Sequence, residues 1–350
     1  MYTPLLVSCR LVEQGLEQGS CLTFHEGSWK RACEVTLMWR DGTPYRLIHS
    51  YAHKAPEQYL SIYQSGCNWN CRKCHSWRFS KRASGAWMSP GDIAKISEEY
   101  AEKNAENMYM DPRERATSWH AYELCRSCGS CITKGARSSH CPGKLRIDQM
   151  TLLDDLTWGP ARNIISFTGG DLACQPEFYA QSAEAIKGLE RDLWVLFETN
   201  GYGLTSDNLD AFSEAGIDSF WLDIKAFDGG VHRRLTGCSN ERVMELPAEI
   251  LERGFVLEVS SVCIPSWVEA DQIGEIAGLL AGVDPETLYG IIAFIPENEM
   301  RDVPSPDYGQ MVEAFEAARD AGLRNVRVGN LGCFVRDIGQ YEALLGMGAI

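Results

Sequence analysis

The sequence predicts an α/β protein whose core is a parallel barrel or partial barrel. From residue 59 onward, six or seven buried strand-like segments alternate with helical segments, and polar side chains follow several strand ends. Repeated alternation of this length is typical of parallel barrels, in which functional side chains lie at the carboxyl ends of the strands. A group of three cysteines directly after the first of these strands predicts where the chemistry takes place.

The predicted elements follow one another along the chain. The strands are short apolar runs, and they span 59–63, 162–168, 193–198, 220–224, 255–262, 289–295 and 325–328. The helices show helical periodicity or a helix-start pattern, and they span 90–103, 176–189, 207–214, 270–280 and 310–321. The first helix has Ser89 as its cap, Pro90 in its first turn and Asp92 three residues after the cap.

Residues 1–58 are predicted to form a β-rich N-terminal extension. Alternating runs at 34–39 and 45–48 flank an Asp41-Gly42 turn, which is typical of a β-hairpin. Cys9, Cys21 and Cys33 recur every twelve residues in this part of the chain. We interpret them as small buried residues rather than metal ligands, because no two are close enough in sequence to form a ligand knuckle.

Composition and charge argue against nucleic-acid binding, a membrane span and secretion. The 350 residues carry a net charge of −15, which is expected to repel nucleic acid. No apolar run reaches the roughly 18–20 residues that a membrane span needs, and the N-terminal segment lacks the basic region of a secretory signal. Fourteen cysteines in such a chain predict thiolate chemistry in a reducing compartment, so we expect a cytoplasmic protein.

The three cysteines after the first strand are Cys67, Cys71 and Cys74, in a C-x3-C-x2-C spacing. Three thiolates on a tight loop can hold three irons of a [4Fe–4S] cluster and leave the fourth iron open to a substrate or cofactor. Zinc is the alternative, since His75 could complete a tetrahedral site. However, Cys74 and His75 are adjacent and would both have to turn inward onto one ion.

The segment around these cysteines is basic, although the chain as a whole is acidic. Five basic residues and no acid lie between Trp69 and Arg82, and they are Arg72, Lys73, Arg78, Lys81 and Arg82. One interpretation is a solvated basic helix face. The other is a docking patch for an acidic electron donor such as a flavodoxin or a ferredoxin.

A second cysteine group predicts a second metal centre. Its members are Cys125, Cys128, Cys131 and Cys141, and the C-x2-C-x2-C run followed by a Cys-Pro is ferredoxin-like. Because the fourth cysteine follows the third by ten positions and no other complete set is present, we expect one four-cysteine [4Fe–4S] cluster. A structural zinc is the alternative. Residues 107–150 are therefore predicted to form a small inserted domain.

Polar residues after four successive strands complete the predicted site. Besides Cys67, they are Gly169, Gly170, Asp171, Glu198, Thr199, Asn200, Asp223 and Lys225. Together they offer exposed backbone, several carboxylates and one ammonium group beside an open iron. This combination suits a zwitterionic ligand such as one that carries an amino-acid moiety.

These motifs resemble those of the radical S-adenosylmethionine superfamily. The three-cysteine spacing followed by Gly-Gly-Asp carries the general resemblance. FTGGD, ETNG, LDIKAFD, HRRLTGCSN and IPSW resemble the pyruvate formate-lyase activating enzymes and related activators of glycyl-radical enzymes. The resemblance covers roughly residues 59–300. It implies a partial (β/α)6 barrel formed by residues 59–106 and 151–350.

The resemblance also implies a reaction and roles for the site residues. A catalytic [4Fe–4S] cluster on Cys67, Cys71 and Cys74 would chelate S-adenosylmethionine and cleave it reductively, and the 5′-deoxyadenosyl radical would take hydrogen from a partner protein or peptide. Gly169, Gly170 and Asp171 would meet the methionyl amino group, and Lys225 would approach the carboxylate. Glu198, Thr199 and Asp223 match positions of a monovalent-cation site in the activators. Cys125, Cys128, Cys131 and Cys141 would hold an auxiliary cluster.

Some positions depart from the pattern of the activators. Lys73 stands where an aromatic residue is usual, Glu198 where aspartate is common, and Ser260 where the activators have an arginine. We therefore keep two further interpretations beside the protein-activating one. The first is a radical enzyme that acts on a small metabolite. The second is a non-catalytic two-cluster electron carrier or zinc-binding module.

Overall fold

The computed structural model describes residues 9–55, 57–109 and 124–350. Its strands are β1 (Leu22–His25), β2 (Ser28–Arg31), β3 (Leu37–Arg40), β4 (Thr43–Lys54), β5 (Tyr59–Gln64), β6 (Ala86–Met88), β7 (Met108–Tyr109), β8 (Met150–Leu152), β9 (Trp158–Arg162), β10 (Ile164–Gly169), β11 (Trp194–Thr199), β12 (Ser219–Asp223), β13 (Val256–Cys263), β14 (Leu288–Ala293) and β15 (Asn325–Gly329).

The helices of the described residues mostly connect these strands. They are α1 (Arg10–Glu13), α2 (Ala32–Thr36), α3 (Trp77–Ser80), α4 (Pro90–Asn104), α5 (Ser130–Thr133), α6 (Glu177–Lys187), α7 (Ser206–Ala215), α8 (Gly229–Thr236), α9 (Glu241–Glu252), α10 (Ala270–Val283), α11 (Tyr308–Asp320) and α12 (Ile338–Gly346). Short 3₁₀ turns occur at Ile147–Gln149 and Leu331–Cys333. No helix of the described residues is both long and apolar enough to cross a membrane.

The central sheet is mostly parallel, as the sequence predicts for an α/β fold. Its order is β15-β14-β13-β12-β11-β10-β5-β4-β3, with β6 paired to β4. The strands from β15 to β5 are parallel to one another, and β4 and β3 continue the sheet in antiparallel pairing. One cavity is lined by side chains next to β5 and by others on β15, so the sheet curves around it like an incomplete barrel.

Alternation along the strands separates the helix-facing core from the barrel interior. In β11, Val195 and Phe197 are fully buried in the main apolar cluster with residues of the surrounding helices. Leu196 on the other face packs with Tyr59 and Ile164 in a smaller cluster at the floor of the barrel. Because successive side chains of a strand point to opposite faces, the position after Leu196 on its own face is Glu198, which lines the cavity.

The structure confirms the predicted parallel strands to within two residues at most ends and corrects the N-terminal hairpin. The strand predicted from residue 34 begins at Leu37, because Ala32–Thr36 forms helix α2. The Asp41-Gly42 turn is present, with Arg40 paired to Thr43 across it.

The predicted boundary at residue 58 does not separate two sheets. Strand β4 lies within residues 1–58, yet it pairs antiparallel with β5, the first strand of the predicted barrel. Residues 1–8 and 56 of the predicted extension lie outside the described residues. Helices α8, α9 and α12 were not predicted, since glycines, charges or an internal proline interrupt their apolar pattern.

The described part of the predicted insert has a small core of its own. Leu124, Leu145 and Met150 are buried together, and Cys125, Ile132 and Trp158 pack against them. Strand β9 joins β7 and β8 in a three-stranded sheet, which extends this unit past residue 150. Residues 110–123 of the insert lie outside the described residues.

Candidate active site

A cavity of about 520 Å³ lies inside the curved sheet, toward the carboxyl ends of its parallel strands. This volume is within the range of roughly 300–1,000 Å³ that is usual for small-molecule and cofactor sites. Ten of the eleven predicted catalytic and cofactor-binding residues line it: Cys67, Cys71, Cys74, Gly169, Asp171, Glu198, Thr199, Asn200, Asp223 and Lys225. Gly170 is the exception.

Gly170 instead allows the three-cysteine loop, residues 67–74, to approach strand β10. A Cβ atom at this position would lie 2.2 Å from the carbonyl oxygen of Gly66 and 2.7 Å from that of Gln64. Its amide donates a hydrogen bond to Gln64 O at 2.9 Å. The buried Arg46 guanidinium holds the Gly66 carbonyl oxygen from the other side at 3.0 Å. The glycine pair therefore positions the start of the cysteine loop against the sheet.

Hydrogen-bond donors surround the Cys67 sulfur. The amide of Trp69 and the side-chain nitrogen of Asn200 each lie 3.5 Å from Cys67 Sγ. Asn200 also donates to Asn68 Oδ1 at 2.7 Å, so the first cysteine is tied to the loop after β11. Burial raises the pKa of the Cys67 thiol, and the charge of Asp171 adds to the effect. Donors of this kind stabilise a metal-bound thiolate.

The donor set of the three cysteines fits an iron–sulfur cluster. Burial raises the pKa of Cys71 to about 12, although Lys225 opposes the shift, so this thiol keeps its proton at neutral pH unless a metal displaces it. Within the described residues, no three His, Cys, Asp or Glu side chains lie close enough to share one metal ion. A cubane binds each thiolate at a different iron and therefore needs wider spacing than a single zinc ion.

His75 does not complete a zinc site with the cysteines. Its side chain is 82% exposed, and Nδ1 lies 2.7 Å from Glu297 Oε2. The histidine therefore faces a carboxylate on the loop after β14. This geometry removes the fourth ligand that the zinc alternative required.

Asp171 connects the glycine turn to the loop after β11. Its Oδ2 accepts hydrogen bonds from Thr199 Oγ1 at 2.7 Å and from the Asn200 amide at 2.8 Å. Its Oδ1 accepts from the Ala173 amide at 2.7 Å, and its backbone oxygen accepts from the Asn68 amide at 2.8 Å. Burial raises the pKa of this carboxyl, and the hydrogen bonds oppose the rise. Asp171 thus aligns Asn200 with Cys67.

A second polar group lies at the end of β12. Asp223 forms an ion pair with Lys225 and accepts a hydrogen bond from Ser260 Oγ at 2.5 Å. Burial alone would raise the pKa of Asp223, but Lys225 and Lys73 reverse the shift and hold it below its usual value. Lys73 replaces the aromatic residue of the resembling family, and it too lines the cavity. Burial lowers the pKa of Lys73 to about 7, so the lasting charges in this part of the cavity are those of the Asp223–Lys225 ion pair.

Glu198 belongs to the floor of the cavity. Its Oε1 accepts hydrogen bonds from Tyr59 OH at 3.0 Å and Ser166 Oγ at 2.8 Å, and its Oε2 accepts from Thr168 Oγ1 at 2.6 Å. Burial raises its pKa to about 8, and the charge of Glu57 contributes to the shift. The three predicted cation-site residues, Glu198, Thr199 and Asp223, thus bond to different partners, and no common ion position is evident among their contacts.

Sequence reasoning missed several cavity residues on the same floor. Glu57, Trp221, Glu258 and Arg327 all line the cavity. In the sheet register, Trp221 lies between Glu198 and Glu258 on neighbouring strands. Charged residues in the middle of otherwise apolar strands, such as Glu258 in LEVSSVC, are the feature that could have revealed them, because such residues are rarely buried without a role.

Two residues of the predicted basic docking patch pair with one carboxylate of the same chain. The Lys81 side chain is only 11% exposed, and its Nζ lies 2.7 Å from Glu299 Oε1. Arg72 lies 5.3 Å from the centre of the Trp267 ring and pairs with the same glutamate at 3.7 Å. The prediction of a free basic surface is therefore wrong for Lys81, whereas the Arg72 side chain remains 42% exposed. The loop after β14 neutralises them while it clamps the cysteine loop, since Asn298 Nδ2 donates to Cys71 O at 3.1 Å.

The four cysteines of the insert lie in one neighbourhood. Burial raises the pKa of Cys125, and the charges of Cys131, Cys128 and Cys141 raise it further, so all three lie near Cys125. The amide of Ser127 lies 3.3 Å from Cys125 Sγ. This donor set matches a four-thiolate cluster, which stays a prediction.

Comparison with known proteins shows which sequences this chain is similar to. A sequence model described as the radical SAM superfamily matches residues 125–280, so the three-cysteine loop lies upstream of the match. A Methanocaldococcus jannaschii protein named as a glycyl-radical enzyme activating enzyme is 31% identical over 149 residues, which are 41% of this chain and 56% of that protein. The isethionate sulfite-lyase activating enzyme of Oleidesulfovibrio alaskensis is 25% identical over 263 residues, covering 70% of this chain and 81% of that enzyme.

A solved structure shows the same fold. A radical SAM methyltransferase from Sphaerobacter thermophilus covers 85% of this chain and 76% of its own, with a TM-score of 0.50 at 12% identity. The chain spans about half the length of the first curated relatives it matches, with 56% of the archaeal protein and 43% of the pyruvate formate-lyase 1-activating enzyme of Escherichia coli.

The fold, the cavity and the matched residues together point to one class of enzyme. It is the radical S-adenosylmethionine superfamily, whose model matches residues 125–280 of this chain. Within that superfamily, its named relatives are activating enzymes, including those of pyruvate formate-lyase and isethionate sulfite-lyase.

Proposed function

We propose that this protein reductively cleaves S-adenosylmethionine and uses the resulting radical to abstract hydrogen from a residue of a partner protein or peptide. The observation that carries the proposal is the shared cavity. Three cysteines in a C-x3-C-x2-C spacing line it together with Asp171, Asn200, Asp223 and Lys225 at the ends of neighbouring parallel strands. Activating enzymes among the relatives support the choice of a polypeptide substrate.

The cavity residues fall into two groups, one that would hold the cluster and one that would bind the methionyl part of S-adenosylmethionine. Cys67, Cys71 and Cys74 would hold three irons of a [4Fe–4S] cluster, which when bound and reduced supplies the electron that cleaves the sulfonium and generates a 5′-deoxyadenosyl radical. Lys225, fixed by Asp223, would attract the carboxylate of the methionyl group. The exposed backbone of Gly169 would accept its amino group.

Asp171 and Asn200 would act as positioning residues for this arrangement. All four of the Asp171 contacts described above are made within the protein, so its carboxylate orients the loop after β11. Asn200 in turn donates to Cys67 Sγ and to Asn68 Oδ1. Such outer contacts fix the orientation of a metal ligand and tune the metal that it holds.

Three further parts of the proposal lie outside this cavity or at its edge. Cys125, Cys128, Cys131 and Cys141 would hold an auxiliary [4Fe–4S] cluster that relays electrons. A flavodoxin or ferredoxin in the reducing cytoplasm would donate them. A monovalent cation beside Glu198, Thr199 and Asp223 stays a prediction from the resemblance alone.

A small metabolite is the second candidate substrate, and the polar floor of the cavity favours it. Glu57, Glu198, Glu258 and Arg327 line the same space as the cysteines. Pockets with a few convergent polar groups are typical of small-molecule sites. The product distinguishes the two kinds of substrate. A protein substrate gains a radical on its own chain, whereas a metabolite is converted and no protein radical remains.

The proposal is tested by electron paramagnetic resonance of the anaerobically reconstituted, dithionite-reduced protein. We expect the cluster spectrum to change when S-adenosylmethionine is added, because the cofactor would bind the open iron. Cys71→Ala should lose the responsive signal, while Cys263→Ala, which removes a buried thiol of β13, should keep it. A fully reconstituted wild-type protein whose spectrum ignores S-adenosylmethionine would refute the proposal.

A further inference from the structure

Four cysteines outside both predicted clusters meet at one place. They are Cys9, Cys21, Cys33 and Cys174, and all four are free thiols. The first three were interpreted from the sequence as separate small buried residues. The fold brings them together with a fourth cysteine that lies three residues after Asp171 of the catalytic cavity.

The β1–β2 hairpin joins Cys21 to Cys33. Glu26 and Gly27 form its turn with φ of 46° and 82°, the left-handed pair that a two-residue hairpin favours. Leu22 pairs with Arg31, and the Ala32 amide donates to Cys21 O at 3.2 Å. The twelve-residue spacing in the sequence is thus the length of one hairpin, and it places one cysteine at each end.

Contacts between distant segments bring the parts of the chain that carry Cys9 and Cys174 close to this hairpin. Cys21 and Leu172 are buried in one small apolar cluster, and Cys33 packs against it. Gln14, just after α1, donates to Cys174 O at 3.3 Å. The segments that carry Cys9 and Cys174 are also linked, since Arg10 Nη2 lies 3.0 Å from Oε1 of Glu177, three residues after Cys174.

Every pair among the four thiols interacts electrostatically, so that one thiol raises the pKa of the other. Cys9 raises the pKa of Cys21, and both raise that of Cys33, after burial as the main cause. Burial raises the pKa of Cys174, to which Asp171, Cys33, Cys9 and Cys21 contribute. Together with the packing of Cys21 and Cys33 around Leu172, two residues before Cys174, these couplings indicate that the four thiols are neighbours. The positive charge of Arg31 acts on Cys21 and Cys33.

We propose that Cys9, Cys21, Cys33 and Cys174 bind a third [4Fe–4S] cluster. Four thiolates are the usual ligand set of such a cluster, and soft sulfur ligands select iron–sulfur or zinc over hard cations. A zinc ion with Zn–S bonds of about 2.3 Å would need its ligands almost in contact. Among the described residues, no three His, Cys, Asp or Glu side chains lie that close together.

Transfer of a preassembled [4Fe–4S] cluster to these cysteines is a ligand exchange, so it needs no oxidant or reductant. Each S–H group loses its proton to solvent as its sulfur binds one iron of the cluster, so four protons are released. Cysteines that only fill a core can be scattered, because each behaves as a small apolar side chain. Here four separate segments, before α1, before β1, within α2 and after β10, each supply one sulfur to the same place.

The proposal is tested by counting iron and acid-labile sulfide per chain after anaerobic reconstitution. With four irons in each of three clusters, the wild-type protein should hold about twelve. The double variant Cys21→Ala/Cys33→Ala should lose about four. Cys263→Ala, which removes a buried cysteine outside this cluster, should lose none. About eight irons in the wild-type protein and in the double variant alike would overturn the proposal, and so would one zinc that the double variant loses.

A complementary variant covers the case in which the double variant fails to fold. Cys71→Ala/Cys74→Ala/Cys128→Ala/Cys131→Ala removes ligands from both other clusters. It should retain about four irons and the optical and paramagnetic signatures of one [4Fe–4S] cluster. Complete loss of iron from this variant, with its helical circular dichroism intact, would show that the four cysteines bind no cluster. Two disulfides in the anaerobically isolated protein would contradict the proposal as well.

Discussion

At the scale of single residues, hydrogen-bond partners decide what each carboxylate can do. Asp171 holds the end of β11 and the loop after it through Oδ2, and its own loop after β10 through Oδ1, whereas Asp223 is neutralised by Lys225. Glu198 differs from both, since its partners are the uncharged hydroxyl groups of Tyr59, Ser166 and Thr168. A buried carboxylate with neutral partners retains much of its desolvation cost.

Glu198→Gln should therefore make the stability of the folded protein less sensitive to rising pH. Because the folded-state pKa of Glu198 is raised to about 8, the folded protein keeps a proton that the unfolded chain releases above about pH 4.5. Stability should fall as the pH rises from about 5 to about 8 in the wild-type protein, and less so in the variant. Thermal unfolding of the reconstituted protein at several pH values measures this difference.

The exposed carboxylate Glu316 on α11 provides the control. Glu316→Gln should leave the pH dependence of the melting temperature as it is in the wild-type protein. Parallel pH curves for the wild-type protein and Glu198→Gln would show that Glu198 is already ionised at neutral pH in the folded state.

For single residues, the sequence predicts which of them belong to the site better than it predicts which partners they contact. Cys67, Asp171 and Asp223 could be chosen because each follows a strand, and parallel strands end at one edge of a sheet. The partners of Lys81 and His75 could not, since Glu299 and Glu297 lie more than two hundred positions further along the chain. A local run of basic residues carries no information about such distant carboxylates.

At the scale of elements, close backbone packing fixes the cysteine loop to the sheet. Gly170 has no room for a side chain, because the clashing atoms are backbone oxygens of Gly66 and Gln64. Arg46 and Ser20 hold the same loop from the N-terminal part of the chain, where Ser20 Oγ accepts from the Asn70 amide at 2.8 Å. Residues before the barrel thus help to build its active site.

Gly170→Ala should destabilise the protein by about 1–3 kcal/mol, the usual range for overpacking, and should reduce the iron content of the catalytic site. The matched control is Gly278→Ala on α10, where a Cβ meets nothing within 4 Å. That change should be neutral or stabilise the helix by about 0.5–1 kcal/mol. Denaturation midpoints and iron counts for both variants check this. Wild-type values for Gly170→Ala would mean that the turn can move without cost.

The elements themselves were predictable to different degrees. Apolar runs such as that of β13 identify the parallel strands, because both faces of a barrel strand are largely buried. Helix α4 was predicted from its capping box at Ser89 and Asp92, which the structure contains. Helix α2 was not, since the alternating residues 34–36 look like the start of a strand, and packing against the hairpin overrides that local preference.

At the scale of the whole molecule, cysteines are grouped in three places on one scaffold. The catalytic set, residues 67–74, lines the cavity inside the sheet, and the auxiliary set, residues 125–141, has a small core of its own. The four cysteines of the proposed third cluster lie beside the segment that follows Asp171, and Cys238, Cys263 and Cys333 belong to none of the three groups. The first two sets could be predicted from their local spacing. The third could not, because only the fold brings Cys174 to the N-terminal cysteines.

The most direct test of the central claim is release of 5′-deoxyadenosine from S-adenosylmethionine by the anaerobic, dithionite-reduced protein. We predict that the wild-type protein and Cys263→Ala release it, that Cys71→Ala releases none, and that Cys128→Ala retains some cleavage that is uncoupled from the substrate. Chromatographic quantification of 5′-deoxyadenosine and methionine measures all four. No product from wild-type protein with full clusters, or equal product from Cys71→Ala, would contradict the account.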